Sequence, residues 1–150
     1  MSGPEQNNPS RLPSRLIIAF IAVLTVIRLA GAAVVPLTGD EAYYRLWSLN
    51  PDWGYYDHAP MVAWWMALGN ALFGDTTFGL RFLAPVSAGI GSLFLWRTAA
   101  LLLGSPSADR TILWFNAMLI VGVGSILMTP DIPSVFFWGM TRSEEHTSEL

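Results

Sequence analysis

The sequence predicts an all-α, multi-pass membrane protein, and three observations carry that reading. Hydrophobic residues make up 53% of the 150-residue chain, and its mean hydropathy is +0.44. Charged residues make up 13%, about half the share a soluble domain carries. The apolar residues are gathered in blocks long enough for a bilayer, not scattered at core-facing positions. The net charge of −3 argues against a nucleic-acid partner. With no cysteine, disulfides and thiolate metal sites are excluded. All the basic side chains apart from histidine are arginine.

Taken in order, residues 1–15 are polar and proline-rich and read as a disordered cytoplasmic tail. An apolar block over about 16–36 follows Arg11 and Arg15. It is longer than the ~7–15-residue core of a signal peptide, so a retained first span is expected. Arg28 interrupts it. The favoured reading is a side chain turned to the bundle or snorkelling; the other is a partner for a buried carboxylate or a lipid phosphate.

Residues 38–57 are polar and aromatic, with a short helix expected over Asp40–Leu49 and Thr38 or Asp40 near its N-cap. Asn50-Pro51-Asp52 ends it as a turn. Residues 59–73 are apolar but too short to cross, which suits an interfacial helix. Further spans are expected at 80–103 and 111–129, and a truncated fourth begins at 132. Gly89, Gly91, Gly122 and Gly124 lie within spans, where they permit close helix packing.

With the N-terminus inside and residues 59–73 interfacial, Arg11, Arg15 and Arg110 lie in the cytoplasm and Arg97 lies close to that face. Asp40, Glu41, Asp52, Asp57, Asp75 and Asp131 then lie outside. Arg45 and Arg81 also fall there, so the positive-inside bias is modest.

Three polar clusters interrupt the apolar chain: Asp40-Glu41, Tyr56-Asp57-His58 and Pro130-Asp131. Each alone reads equally well as solvated loop acids. Their shared side favours a site. A carboxylate within hydrogen-bond reach can take a proton from an attacking hydroxyl. Adjacent Asp and Glu point apart on a helix, so one can act while the scaffold or a cation holds the other. Asp57 and His58 offer donors to a divalent ion but do not complete a metal site. Tyr43, Tyr44, Trp47, Trp53, Tyr55 and Tyr56 suit an aromatic belt at the boundary, or stacking on a sugar or isoprenoid. Arg81 pairs either with a phosphate or with an acid such as Asp75.

The segments GDEAYYRLWS, WGYYDHAPMVAWW and TPDIPSVFFWG together resemble the N-terminal third of bacterial glycosyltransferases of family 39. That family includes protein O-mannosyltransferases and the aminoarabinose transferase acting on lipid A. The resemblance covers residues 16–141. It implies the N-terminal portion of a GT-C helix bundle, with two juxtamembrane helices in the first outer loop and a periplasmic active face in the bacterial inner membrane. It also implies a sugar donor on polyprenyl phosphate, an acceptor hydroxyl on protein, lipid or glycan, and inversion at the anomeric carbon. By motif, Asp40 matches the catalytic base, supported by Glu41. Asp57 matches a metal-binding acid, with the identity of a divalent ion open. His58, Tyr56, Arg81 and Asp131 match donor-phosphate or substrate contacts. Ala59 departs from the family's His-Pro-Pro, which loosens the loop assignment. The partial length implies that the fragment itself is inactive.

A transporter or flippase of lipid-linked substrates, and a non-catalytic assembly protein, are the competing readings. A transporter places ionisable groups near mid-membrane in repeated halves; here they cluster at one edge.

The last nine residues, RSEEHTSEL, are acidic and cut short an apolar helix. The codons AGA TCG GAA GAG CAC ACG TCT GAA CTC, a sequencing-adapter string, encode them in order. The genuine chain is therefore expected to continue past about Thr141. Re-sequencing the locus checks this: the expected outcome is an open frame running on in apolar codons, and a genomic stop directly after Leu150 contradicts it.

Overall fold

A computed structural model describes residues 14–148, and the regular structure within them is entirely helical. Tail residues 1–13 and the last two residues of the expected adapter segment lie outside the described residues. Helix α1, Ser14–Val34, takes in the last two residues of the expected tail. Its 21 residues measure about 32 Å, enough to cross a hydrocarbon core of about 30 Å. Ile17, Ile21, Arg28 and Ala32 are its buried residues. Their spacing of four and seven places them on one stripe.

Helix α2, Gly39–Leu49, begins with a capping box: Thr38 accepts from the Glu41 N–H, and Glu41 reaches back to the Thr38 N–H. Helix α3, Met61–Phe73, has 13 residues, about 20 Å of helix, too short to span. These two helices lie where two juxtamembrane helices are expected. Gly74 ends α3 with φ +77°, a backbone region that side chains disfavour.

Helix α4, Thr77–Arg81, leads almost without interruption into α5, Leu83–Leu103. Pro85 explains the seam, because it has no N–H to offer the carbonyl of Arg81 four residues earlier. The combined apolar segment Thr77–Leu103 is, with α1, long and apolar enough to cross a membrane. The third expected span differs from the expectation: residues 111–129 hold the end of α6, Ser105–Ala117, and the short α7, Leu119–Gly124. The backbone at Met118 is extended (φ −63°, ψ 128°) and breaks the helix. Gly122 and Gly124, poor helix formers, weaken the turns beyond the break. Helix α8, Asp131–Ser148, starts at the acid of the third motif and continues through the segment after Thr141.

Two apolar clusters hold the bundle. Ile17, Ile21 and Ile112 join α1 to α6, with Leu95 and Trp96 of α5 packed against them. Trp96 Nε1 also donates to Asp109 on α6 at 2.9 Å. The second cluster, Tyr44, Val62, Met66, Leu80, Ala84 and Met128, brings α2, α3, α4 and α5 against the segment before α8.

Glycine permits close approach at some positions and not at others. A Cβ on Gly69 would collide with the carbonyl of Gly79, where α3 meets α4, and one on Gly89 would lie 2.5 Å from Thr25 Oγ1 of α1. By contrast, nothing lies within 4 Å of a Cβ on Gly91, Gly122 or Gly124, so the close packing expected at these three is not found. Gly89→Val in the full-length protein is expected to cost about 1–3 kcal/mol by overpacking, whereas Gly91→Ala is neutral or slightly stabilising. Thermal unfolding in detergent distinguishes them.

Candidate functional site

The site is built on one buried ion pair. Glu41, in the first turn of α2, is 1% exposed and Arg81, at the end of α4, is 0% exposed. Arg81 Nε donates to Glu41 Oε1 at 2.6 Å and Nη2 to Oε2 at 2.5 Å, a two-pronged fit that only guanidinium and carboxylate make. Arg81 also donates to the carbonyls of Val35 at 2.6 Å and Pro36 at 2.9 Å, just past the end of α1, where helical carbonyls lack partners. Glu41 Oε1 further accepts the backbone N–H of Met128 at 3.0 Å. One pair thus ties together the exit of α1, the start of α2, α4 and the approach to α8.

Burial pushes the Glu41 carboxyl up, but the bonds from Arg81, Thr38 and Met128 outweigh it and hold it below its usual range. An enclosed, fully engaged carboxylate does not serve as a base for an external hydroxyl. Glu41, expected to support Asp40, is enclosed and bonded to Arg81, Thr38 and Met128. Arg81, expected to touch a donor phosphate or pair with Asp75, instead faces Glu41 and two carbonyls. Asp75 pairs with Arg45, whose Nε donates to its Oδ1 at 2.8 Å, and this holds the Asp75 carboxyl below its usual range.

Asp40 follows a different course. One step along α2 from Glu41, it is exposed, as neighbours set ~100° apart on a helix allow. Asp57 and Asp131 are also exposed. All three bear electrostatically on Tyr44, whose ring is buried at 6% exposure. Burial first, and then the charges of Asp40, Asp131 and Asp57, push the Tyr44 hydroxyl above its usual value. Tyr43 Oη donates to Asp57 Oδ2 at 3.0 Å, so the second motif leans on α2. His58 sets its ring edge-on to Tyr44, 5.6 Å between centroids. Tyr56, expected as a substrate contact, is fully exposed at 102%.

The aromatic residues of the loop pack in two groups, one around Trp47 and one around Trp64. Tyr55 stacks on Trp47 at 4.3 Å and 7°, accepts from the Asp52 N–H and donates to the Trp47 carbonyl. Trp53 stands edge-on to Trp64 at 4.9 Å, and Trp64 Nε1 donates to the Asp52 carbonyl. These contacts make the loop a shaped wall beside α2 and α3.

Asp57 and His58 do not make a metal centre by themselves. Among the described residues no group of three or more His, Asp or Glu side chains is placed to hold a metal ion, and Asp57 accepts from Tyr43. The pairing of Glu41 with Arg81, the Met128 N–H and the central place of Tyr44 were not foreseen in the sequence. The pattern Thr38-x-x-Glu41 was the available signal for the first, since a capping box fixes the glutamate against the backbone.

A family model described as dolichyl-phosphate-mannose-protein mannosyltransferase matches residues 57–143. A lipid A galacturonosyltransferase of Rhizobium johnstonii is 31% identical over 99 residues, 65% of this chain and 21% of the relative. An undecaprenyl phosphate-alpha-4-amino-4-deoxy-L-arabinose arabinosyl transferase of Pseudomonas savastanoi pv. phaseolicola is 32% identical over 72 residues, 48% of this chain and 13% of the relative. Both are of the glycosyltransferase kind that the three motifs resemble. The chain thus spans about a fifth or less of these relatives' lengths. No solved structure matches it.

Removing one partner of a buried pair costs about 3–5 kcal/mol, so Glu41→Gln and Arg81→Met should each lower the melting temperature of the full-length protein at neutral pH. Because the Glu41 pKa is lowered on folding, its stabilisation is present above the ordinary carboxylate pKa and lost as pH falls through the lowered value. Melting curves taken from neutral to acid pH should show the wild type losing stability and Glu41→Gln losing less.

Proposed function

The chain belongs to the dolichyl-phosphate-mannose-protein mannosyltransferase family, and on that premise we propose that the full-length protein transfers a sugar from a polyprenyl-phosphate donor to an acceptor hydroxyl. The observation that carries this reading is that the loop holding Asp57 and His58 and the segment leading to Asp131 both contact α2 beside Asp40, through Tyr43 on Asp57, the His58 ring on Tyr44 and the Met128 N–H on Glu41. The names of the relatives, one acting on lipid A and one naming undecaprenyl phosphate, support a lipid-linked sugar and a hexosyl or pentosyl group.

In this mechanism Asp40 is the base. Its exposed carboxylate takes the proton of the acceptor hydroxyl as the oxygen attacks the anomeric carbon. The new carbon–oxygen bond forms on the face opposite the phosphate. The old one breaks, and its electron pair leaves on polyprenyl phosphate, with inversion. A phosphate leaving group needs no strong acid; it needs its developing charge met. His58 is the donor-phosphate contact on this account, set beside the acids by its packing on Tyr44. Asp131 orients the sugar or the acceptor from the start of α8. Glu41 and Arg81 act through Asp40 by fixing the first turn of α2.

The reaction takes place on the periplasmic side of the bacterial inner membrane in this account. The supporting observation is that the acidic motifs cluster at one end of the bundle, while Arg110 lies in the first half of α6. The isoprenoid tail of the donor accounts for a transferase embedded in lipid. No role is given to a metal ion.

Transfer from a polyprenyl-phosphate sugar by the purified full-length protein tests the reading. Asp40→Asn should reduce the rate by at least a hundredfold, roughly the scale of a lost general base, with unchanged expression and melting temperature. Asp131→Asn should reduce it less. Unaltered transfer by Asp40→Asn removes Asp40 from the chemistry. Movement of lipid-linked sugar across the membrane without transfer contradicts the reading as a whole.

A further inference from the structure

Arg28 is not used by the mechanism. It lies on α1, 4% exposed, and its Nη1 donates to Asn116 Oδ1 of α6 at 3.1 Å. The same oxygen lies 3.4 Å from Ser92 Oγ of α5, and Asn116 Nδ2 donates to the Ile112 carbonyl at 3.0 Å. Every partner in this cluster is neutral, and neither described ion pair includes Arg28. A guanidinium carries five N–H donors, and this one has a single described hydrogen bond. Among the described residues the one sealed side-chain polar atom without a partner is Asn70 Oδ1. The unbonded nitrogens of Arg28 therefore keep a small exposure at the edge of the bundle, although the residue as a whole is buried.

Depth decides what meets them. Arg28 lies six residues inside Val34, the end of α1, or about 9 Å of helix. From Ser14 the distance is about 21 Å. That is well within the hydrocarbon core, where a charge is expensive unless an anion faces it. A lipid phosphate at the membrane boundary stops short of this depth. A carboxylate carried on another helix does not.

A second observation points the same way. Two residues beyond Asn116, the chain breaks at Met118. No described hydrogen bond uses the N–H groups of Leu119 or Ile120, whose side chains are 80% and 79% exposed. Lipid offers these groups no partner, so irregular backbone at this depth needs protein over it. The chain spans 21% and 13% of its relatives, which leaves ample protein to supply the cover.

We propose that the face of α1 and α6 around Arg28 and the Met118 break docks a later membrane helix of the full-length protein, and that this helix carries a carboxylate paired with Arg28. The pairing is independent of which sugar is transferred.

The test uses the full-length protein. Arg28→Glu sets like charges face to face and should cut the folded yield in detergent at least tenfold. Selection for restored yield should then return changes of an Asp or Glu to a neutral or basic residue in a helix beyond residue 141. Suppressors confined to Asn116, Ser92 and their neighbours would show a self-contained cluster and overturn the proposal. Arg28→Met provides a reading that does not depend on rescue. It should fold with a lower melting temperature and the same bound lipids as the wild type by native mass spectrometry. A melting temperature equal to wild type, or loss of a bound anionic lipid, counts against the helix carboxylate.

Discussion

The buried pairing of Glu41 with Arg81 is the constraint on which the rest of the site depends. Two hydrogen bonds join the side chains, and four backbone groups complete the set: the carbonyls of Val35 and Pro36 and the N–H groups of Thr38 and Met128. Those groups come from chain segments far apart in sequence. A pair that satisfies all of them at once fixes how α1 ends, how α2 begins and where α8 starts. A buried ion pair is weak evidence for net stability but a strong device for specifying one arrangement. Here the arrangement specified is the one that leaves Asp40 exposed one residue away.

The same pair explains how a carboxylate-rich patch is held together without collapsing into mutual repulsion. Arg81 neutralises Glu41 and Arg45 neutralises Asp75. Asp40, Asp57 and Asp131 then share one neighbourhood while exposed to solvent. Tyr44 anchors it from below, its ring among Val62, Met66, Leu80 and Met128. Tyr43 steadies Asp57 from the side. The apolar core and the polar rim therefore meet at two adjacent tyrosines of α2.

Much of this was legible in the sequence. The apolar blocks located α1 and α5 within a few residues, and the short block over 59–73 gave a helix too short to cross. The three motifs named the acids that gather. The illegible part arises from long-range packing. Arg81 is a lone cation at the outer end of an apolar span by sequence, and only the fold reveals that Glu41, forty residues away, encloses it. The third expected span runs as one apolar block, yet the backbone turns at Met118, a residue with no breaking tendency of its own. The glycines looked alike in sequence. Among the described residues only Gly69, Gly79 and Gly89 would set a Cβ closer than 3.0 Å to a neighbour, because they face another backbone segment or helix at close range.

The central claim is that the three acids share one face of the membrane beside α2. Single cysteines at positions 40, 57 and 131, introduced into a cysteine-free full-length protein, can be labelled with a membrane-impermeant maleimide in sealed vesicles of known orientation. The account predicts that all three react from the outer side and none from the inner. Labelling of any one from the opposite side contradicts it.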